Sequence, residues 1–150
     1  MFKNLILLIS TLFFTMTSHA ESNIVNKKSH YDVPTTVQRF EAALAEKGIK
    51  LTALVNHTDA GKMVGMPIRE TQLLIFGNPK LGSALMQSEQ LIGLDLPLKA
   101  LVWEDNRGDT WVSYYPPKVL AQRYGIKDQD TVVKKMTAVL SELTAKATQP

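Results

Sequence analysis

Apolar and polar residues follow a changing period along this chain, and each change marks an element. The first pattern predicts a strand near Ser29–Val33. A helix follows, with Val37, Phe40 and Leu44 at helical spacing, Thr35-x-x-Gln38 as a capping box, and Gly48 as the stop. Ile49–Asn56 then alternates with period two, placing Ile49, Leu51, Ala53 and Val55 on one face of a strand. His57–Gly65 reads as a short helix capped by Thr58 or Asp59 and closed by Gly65, with Pro67 beyond. Thr71–Phe76 is an unbroken apolar, β-rich run suited to an interior strand. It stops at Gly77-Asn78-Pro79, three residues that favour turns for separate stereochemical reasons, and a helix is expected over Leu81–Ser88.

Leu98–Glu104 and Thr110–Tyr115 form a hairpin through Asp105-Asn106-Arg107-Gly108-Asp109. A two-residue loop would set Trp103 opposite Val112. A three-residue loop with Gly108 left-handed would set it opposite Trp111, so the buried face stays open. Pro117–Tyr124 predicts a helix ended by Gly125. The last helix starts near Asp128 or Asp130 and carries Val132, Met136, Val139, Leu140 and Leu143 as its apolar stripe, with fraying expected after Lys146. Helices with a single apolar stripe need a sheet to cover, so the order implies an α+β two-layer sandwich, helices packed on a mainly antiparallel sheet.

The N-terminus changes the picture of where this domain works. Lys3 precedes an apolar run from Leu5 to Met16, closed by small residues at Ser18 and Ala20, the pattern of a cleaved secretory signal. A spanning helix needs roughly 18 apolar residues, so no stable membrane anchor is expected from this run. A lipid anchor would need a cysteine, and the chain has none. The expected organisation is a signal peptide at 1–20, a polar lead-in at 21–28, one α+β domain at 29–147 and a frayed tail at 148–150, with a periplasmic or secreted location. Loss of Lys3 leaves 16 basic against 14 acidic residues. A domain so close to neutral lacks the basic footprint of nucleic-acid binding, so no nucleic-acid partner is expected. The absence of cysteine excludes thiol catalysis and thiolate metal sites.

Leu74-Ile75-Phe76-Gly77-Asn78-Pro79-Lys80, Gly82, Leu85 and Met86 form one characteristic run. Gly93-Leu94-Asp95-Leu96-Pro97-Leu98, Leu101-Val102-Trp103-Glu104-Asp105, Gly108, Trp111-Val112-Ser113-Tyr114 and Leu120-Ala121-x-Arg123-Tyr124 continue it. On these residues the stretch from His57 to Tyr124 resembles the family of the domain of unknown function 302. The resemblance implies a small α+β domain that tends to pair as a homodimer, and no agreed activity. Ser83 stands where the family usually carries Thr, and Thr58-Asp59-Ala60 replaces Ala-rich residues after His57.

Several residues are candidates for chemistry. His57, at a strand end, can serve as acid, base or ligand. An enzyme would pair it with Glu104 or Asp59. Met63 and Met66 add thioethers suited to copper(I) beside it. Gly77-Asn78-Pro79-Lys80 opens a helix whose N–H groups can meet an anion, although the spacing is not that of a phosphate loop. Ser83, His57 and Asp95 supply the residue types of a hydrolytic triad without a nucleophile elbow. Trp103, Trp111, Tyr114 and Tyr115 crowd one hairpin, as interface or pocket aromatics do. The expectation is therefore a non-enzymatic homodimer, with no cofactor, holding a small-molecule ligand. Its candidate site is His57, Phe76, Gly77, Asn78, Pro79, Lys80, Trp103, Glu104 and Tyr114.

Overall fold

In the computed structural model residues 23–150 are described, so the expected signal segment 1–20 lies outside the described residues. The elements run β1 (Val25–Lys28), α1 (Val33–Glu46), β2 (Lys50–Asn56), α2 (His57–Met63), β3 (Thr71–Gly77) and α3 (Pro79–Ser88). After a 3₁₀ turn at Gln90–Leu94 come β4 (Leu98–Glu104), β5 (Thr110–Tyr114), α4 (Pro117–Arg123) and α5 (Asp130–Thr148). The strands form one sheet in the order β1-β5-β4-β3-β2, every neighbouring pair antiparallel. The fold is α+β, with the helices on one side of the sheet.

Residues paired directly across strands share a face, and the two faces differ sharply. Leu74, Phe76, Leu98, Ala100, Val102 and Val112 are buried under the helices. Phe40 of α1 meets Phe76 with ring centroids 5.2 Å apart, and Leu140 and Leu143 of α5 close the same core. The opposite face carries Ala53, Val55, Leu73, Ile75, Leu101, Trp103 and Trp111, and no described helix covers it.

Several boundaries differ from the sequence expectation, each for a local reason. The first strand is Val25–Lys28 rather than Ser29–Val33, because the polar lead-in pairs as an edge strand with β5. Ser29 instead bonds Thr36 Oγ1 at 2.7 Å. Asp32, not Thr35, caps α1 by accepting from Thr35 N at 2.8 Å. Pro34 follows in the first turn, where its missing N–H costs nothing. Asn56 caps α2 in place of Thr58 or Asp59, and Thr58 is buried with its hydroxyl taking Thr71 N at 2.7 Å. Neither Asp128 nor Asp130 caps α5; Asp128 accepts from Ser88 Oγ at 2.5 Å. A bulge between Leu51 and Ala53 breaks the single face expected for β2.

The C-terminus, where fraying was expected after Lys146, is held. Arg39 Nη2 donates to Lys146 O at 2.9 Å and to Gln149 O at 2.7 Å, while its guanidinium stacks 4.3 Å from the Tyr31 ring centroid. His30 N donates to Thr148 O at 3.0 Å, and Thr148 is fully buried. A cation on the last carbonyls of a helix satisfies acceptors that have no partner within the helix.

The hairpin register, left open by sequence, is the three-residue form. Trp103 faces Trp111, and Gly108 has φ +81°. Asp105 organises the loop: its carboxylate accepts from Arg107 N at 2.8 Å, Asp109 N at 3.0 Å and Trp111 Nε1 at 3.0 Å. Burial acts to raise its pKa. The three hydrogen bonds and the Arg107 charge outweigh that and hold it at about 2, below the ordinary 3.8.

Two outcomes are expected. Arg39→Ala should lose roughly 2 kcal/mol in urea unfolding, since two charged hydrogen bonds to the last carbonyls of α5 are removed. For Asp105 the folded pKa lies below the unfolded value, so the ionised group stabilises the fold above about pH 4 and this contribution disappears as pH falls toward 2. Thermal melts should show Asp105→Asn below wild type near neutral pH, with the gap closing between about pH 4 and pH 2. A gap constant with pH would contradict that role.

Candidate functional site

At the Gly77 end of β3, chain direction and packing open a cavity of about 770 Å³. Its floor is the end of the sheet: Ile49 from just before β2, Phe76 and Gly77 from β3, and Leu98 of β4. One wall is α3, through Leu81, Gly82, Ser83 and Met86. The other is α5, through Lys135, Met136, Val139, Leu140 and Leu143. Leu96 and Pro97 close the cavity beside α3, and Glu46 and Lys47 stand where α1 ends. Gly77 suits the close approach here, because a Cβ at that position would sit a tight 3.3 Å from Pro97 Cβ.

The cavity is mainly apolar. Helix α3 presents no free N-terminal donors to an anion, contrary to the sequence expectation. Pro79 has no N–H, Lys80 N donates to Asn78 Oδ1 at 2.9 Å, and Leu81 N and Gly82 N both bond Asn78 O. Asn78 is therefore the cap of the helix, and what it offers the cavity is its amide edge.

The expected site residues divide into groups. Phe76, Gly77, Asn78 and Pro79 line the cavity together. Lys80 follows them as an exposed residue outside its wall. His57 lies elsewhere. Lys50 pairs with Gly77 at one end of β2, and Asn56 pairs with Gln72 at the other. His57 thus begins α2 about six residue steps from Gly77, roughly 20 Å along the strand direction. Trp103 and Glu104 belong to the His57 end of the sheet, since Trp103 pairs with Thr71 and Glu104 N bonds Glu70 O. Trp103 sits on the uncovered face, where its indole donates to Ser113 Oγ at 2.7 Å. Tyr114 packs on the helix side of β5 at the far edge, and burial raises its pKa.

The catalytic alternatives gain no assembled set. Among the described residues the His57 side chain makes no hydrogen bond or ion pair with a carboxylate. Asp59 binds Asn56 Nδ2 at 2.6 Å and Lys62, and the Glu104 carbonyl accepts from Arg69 Nε at 3.1 Å. The triad types are dispersed: Ser83 is in the cavity wall, His57 at the other end, and Asp95 is bound by Arg123 Nη1 at 2.8 Å and Tyr124 Oη at 3.0 Å. That cluster ties the 3₁₀ turn to α4. Burial and then the Asp95 carboxylate raise the Tyr124 pKa, and Arg123's own hydrogen bond to Asp95 raises that of Arg123. Met63, at the end of α2, and Met66, just beyond it, are 81% and 70% exposed, offering no enclosed coordination sphere with His57.

Sequence reasoning missed the second wall. Met136, Val139, Leu140 and Leu143 read as a stripe lying on the sheet. No periodic signal separates a stripe that touches the sheet throughout from one that leaves a gap beside α3. The gap is a property of how two helices sit, which only their packing decides.

Among known proteins, the chain is 38% identical over 122 residues to "Fluoride-specific ion channel FluC 1" of Brucella suis biovar 1, covering 81% of this chain and 48% of that one. It is also 38% identical to "Fluoride-specific ion channel FluC 2" of Brucella melitensis biotype 1, covering 45% of that protein. The chain therefore spans about half the length of these curated relatives. A crystal structure of an uncharacterized conserved DUF302 protein from Bacillus stearothermophilus superposes with a TM-score of 0.68 at 20% identity, covering 85% of this chain and 96% of that one, which shows the shared fold. The family model "Domain of unknown function DUF302" matches residues 25–143, nearly every described element. On that match, this chain belongs to the DUF302 family.

Proposed function

We propose that the chain is an exported, periplasmic or secreted binding module that acts as a homodimer and holds a small, largely apolar ligand between α3 and α5. It performs no reaction of its own. One observation carries the ligand reading: a cavity of about 770 Å³, within the roughly 300–1,000 Å³ of small-molecule sites, enclosed mainly by apolar side chains.

The dimer reading has separate support on the other side of the sheet. An antiparallel sheet with one face in water alternates apolar and polar residues. β3 reads Leu73-Leu74-Ile75-Phe76, apolar on both faces, and Leu101, Trp103 and Trp111 extend the uncovered apolar area across β4 and β5. Past the β2 edge, Met63, Val64, Met66 and Ile68 are also exposed, on a segment tied back to α2 by backbone hydrogen bonds. Gly61 O accepts from Val64 N at 3.3 Å and Met66 N at 2.9 Å, and a Cβ on Gly61 would lie 2.7 Å from Met66 O. A second copy covering this face removes both apolar areas from water.

The printed names of the Brucella relatives describe fluoride-specific channels. No described helix here is long and apolar enough to cross a membrane. We read the shared half as a domain that accompanies the channel in those proteins.

Two experiments test these readings. The neutral fluorescent probe N-phenylnaphthylamine should bind wild type saturably, and Gly82→Phe, which fills the cavity from α3, should weaken it at least about tenfold. Gly82→Ala serves as the folding control. Its Cβ would meet only Leu96 Cδ1 at 3.8 Å, so it should stabilise the protein by roughly 0.5–1 kcal/mol through helix propensity. Unsaturable binding, or equal binding by Gly82→Phe, would remove the cavity reading. In sedimentation, wild type should run as a dimer and Leu101→Lys as a monomer with an unchanged circular dichroism spectrum. A monomeric wild type at about 100 μM would overturn the dimer.

A further inference from the structure

Resting on the cavity reading above, we propose that its ligand is an amphiphile, an alkyl chain ending in an anionic head, and that Lys135 receives the head. Three charged side chains line the cavity: Glu46, Lys47 and Lys135. Two of them are already neutralised. Glu46 is bound by Lys146, and Lys47 Nζ lies 2.6 Å from Glu142 Oε2, a contact that lowers the Glu142 pKa. Lys135 has no acidic partner and no side-chain hydrogen bond among the described residues. It is exposed at the mouth, four residues before Val139 and therefore on the same side of α5 as the apolar wall.

The walls behind it suit a tail. Phe76, Leu81, Met86, Leu96, Val139 and Leu143 offer no charge and almost no donor, so a ligand with polar groups along its length would leave them unpaired. Polar groups able to turn toward a head are few and uncommitted: Ser83 Oγ and the Asn78 amide nitrogen donate to no described acceptor. One free cation at the rim of a long apolar hollow selects by charge at one end and by burial along the remainder. The neighbouring Lys134 does not line the cavity and plays no part.

Calorimetric titration with dodecanoate and with dodecanol, which share a tail and differ in head charge, tests this on the full mature chain. Wild type should prefer dodecanoate by roughly two- to fivefold, the range of an exposed ion pair. Lys135→Gln should bind both equally, with dodecanol affinity unchanged, and Lys134→Gln should behave as wild type. Dodecyl phosphate, used below its micellar concentration, distinguishes the source of the charge: tighter binding than dodecanoate assigns a phosphate head, weaker binding a carboxylate. If neither dodecyl compound binds, the cavity reading itself falls. If both bind wild type alike, or the preference survives in Lys135→Gln, the cavity stands and the anionic-head inference is overturned.

Discussion

One-sided burial of a five-stranded antiparallel sheet is the constraint from which the remaining features follow. Phe40 on Phe76, with Leu74, Ala100, Val102 and Val112 beneath α1 and α5, fills the only continuous core among the described residues. Burying that face requires α1 to cross from β1 at one edge to β2 at the other. It also requires α5 to lie along α1, and the pinning of the α5 C-terminus by Arg39 follows from that contact. The same arrangement leaves the second face of the sheet with no described helix upon it.

The cavity is a consequence of the same layering. α1 and α5 occupy the middle of the sheet, so α3 packs at the side, against α5 and the ends of β3 and β4. Asn78 and Pro79 set its first turn, and Gly77 lets the strand end approach Pro97. Between α3 and α5 the side chains do not interdigitate fully, and a hollow remains where a tighter core would place another large residue. Gly82 in the α3 wall keeps it open, because a small residue stands where a helix would otherwise project bulk.

Much of the polar detail proved to be architecture. Asp105 of the hairpin loop is the hydrogen-bond hub that holds the observed register. Asp95, Arg123 and Tyr124 belong to the runs that carry the family resemblance, and they meet as a tie between a turn and a helix. Gly77, Asn78 and Pro79 combine both roles: they terminate a strand, cap a helix and form a cavity wall. His57 shares no cavity with them, because consecutive residues of one strand carry its two ends apart.

Local information in the sequence was enough to locate the strands at 71–76 and 98–104, the hairpin, the α1 and α5 stripes, and the α+β class, because each rests on hydrophobic period or turn stereochemistry within a few residues. Caps were less legible: Asp32, Asn56 and Gln129 displaced the expected residues, since several side chains of similar propensity compete within one turn and the packing angle chooses among them. The family membership was also legible, as the runs around Phe76–Lys80 and Trp103–Asp105 persist along the matched region. Tertiary structure alone decided the hairpin register, the separation of His57 from the Gly77 turn, the empty face of the sheet and the pairing of Lys135 with an apolar hollow. Those depend on distances between segments far apart in the chain, and a period read along one strand or helix holds no term for how far it stands from the next.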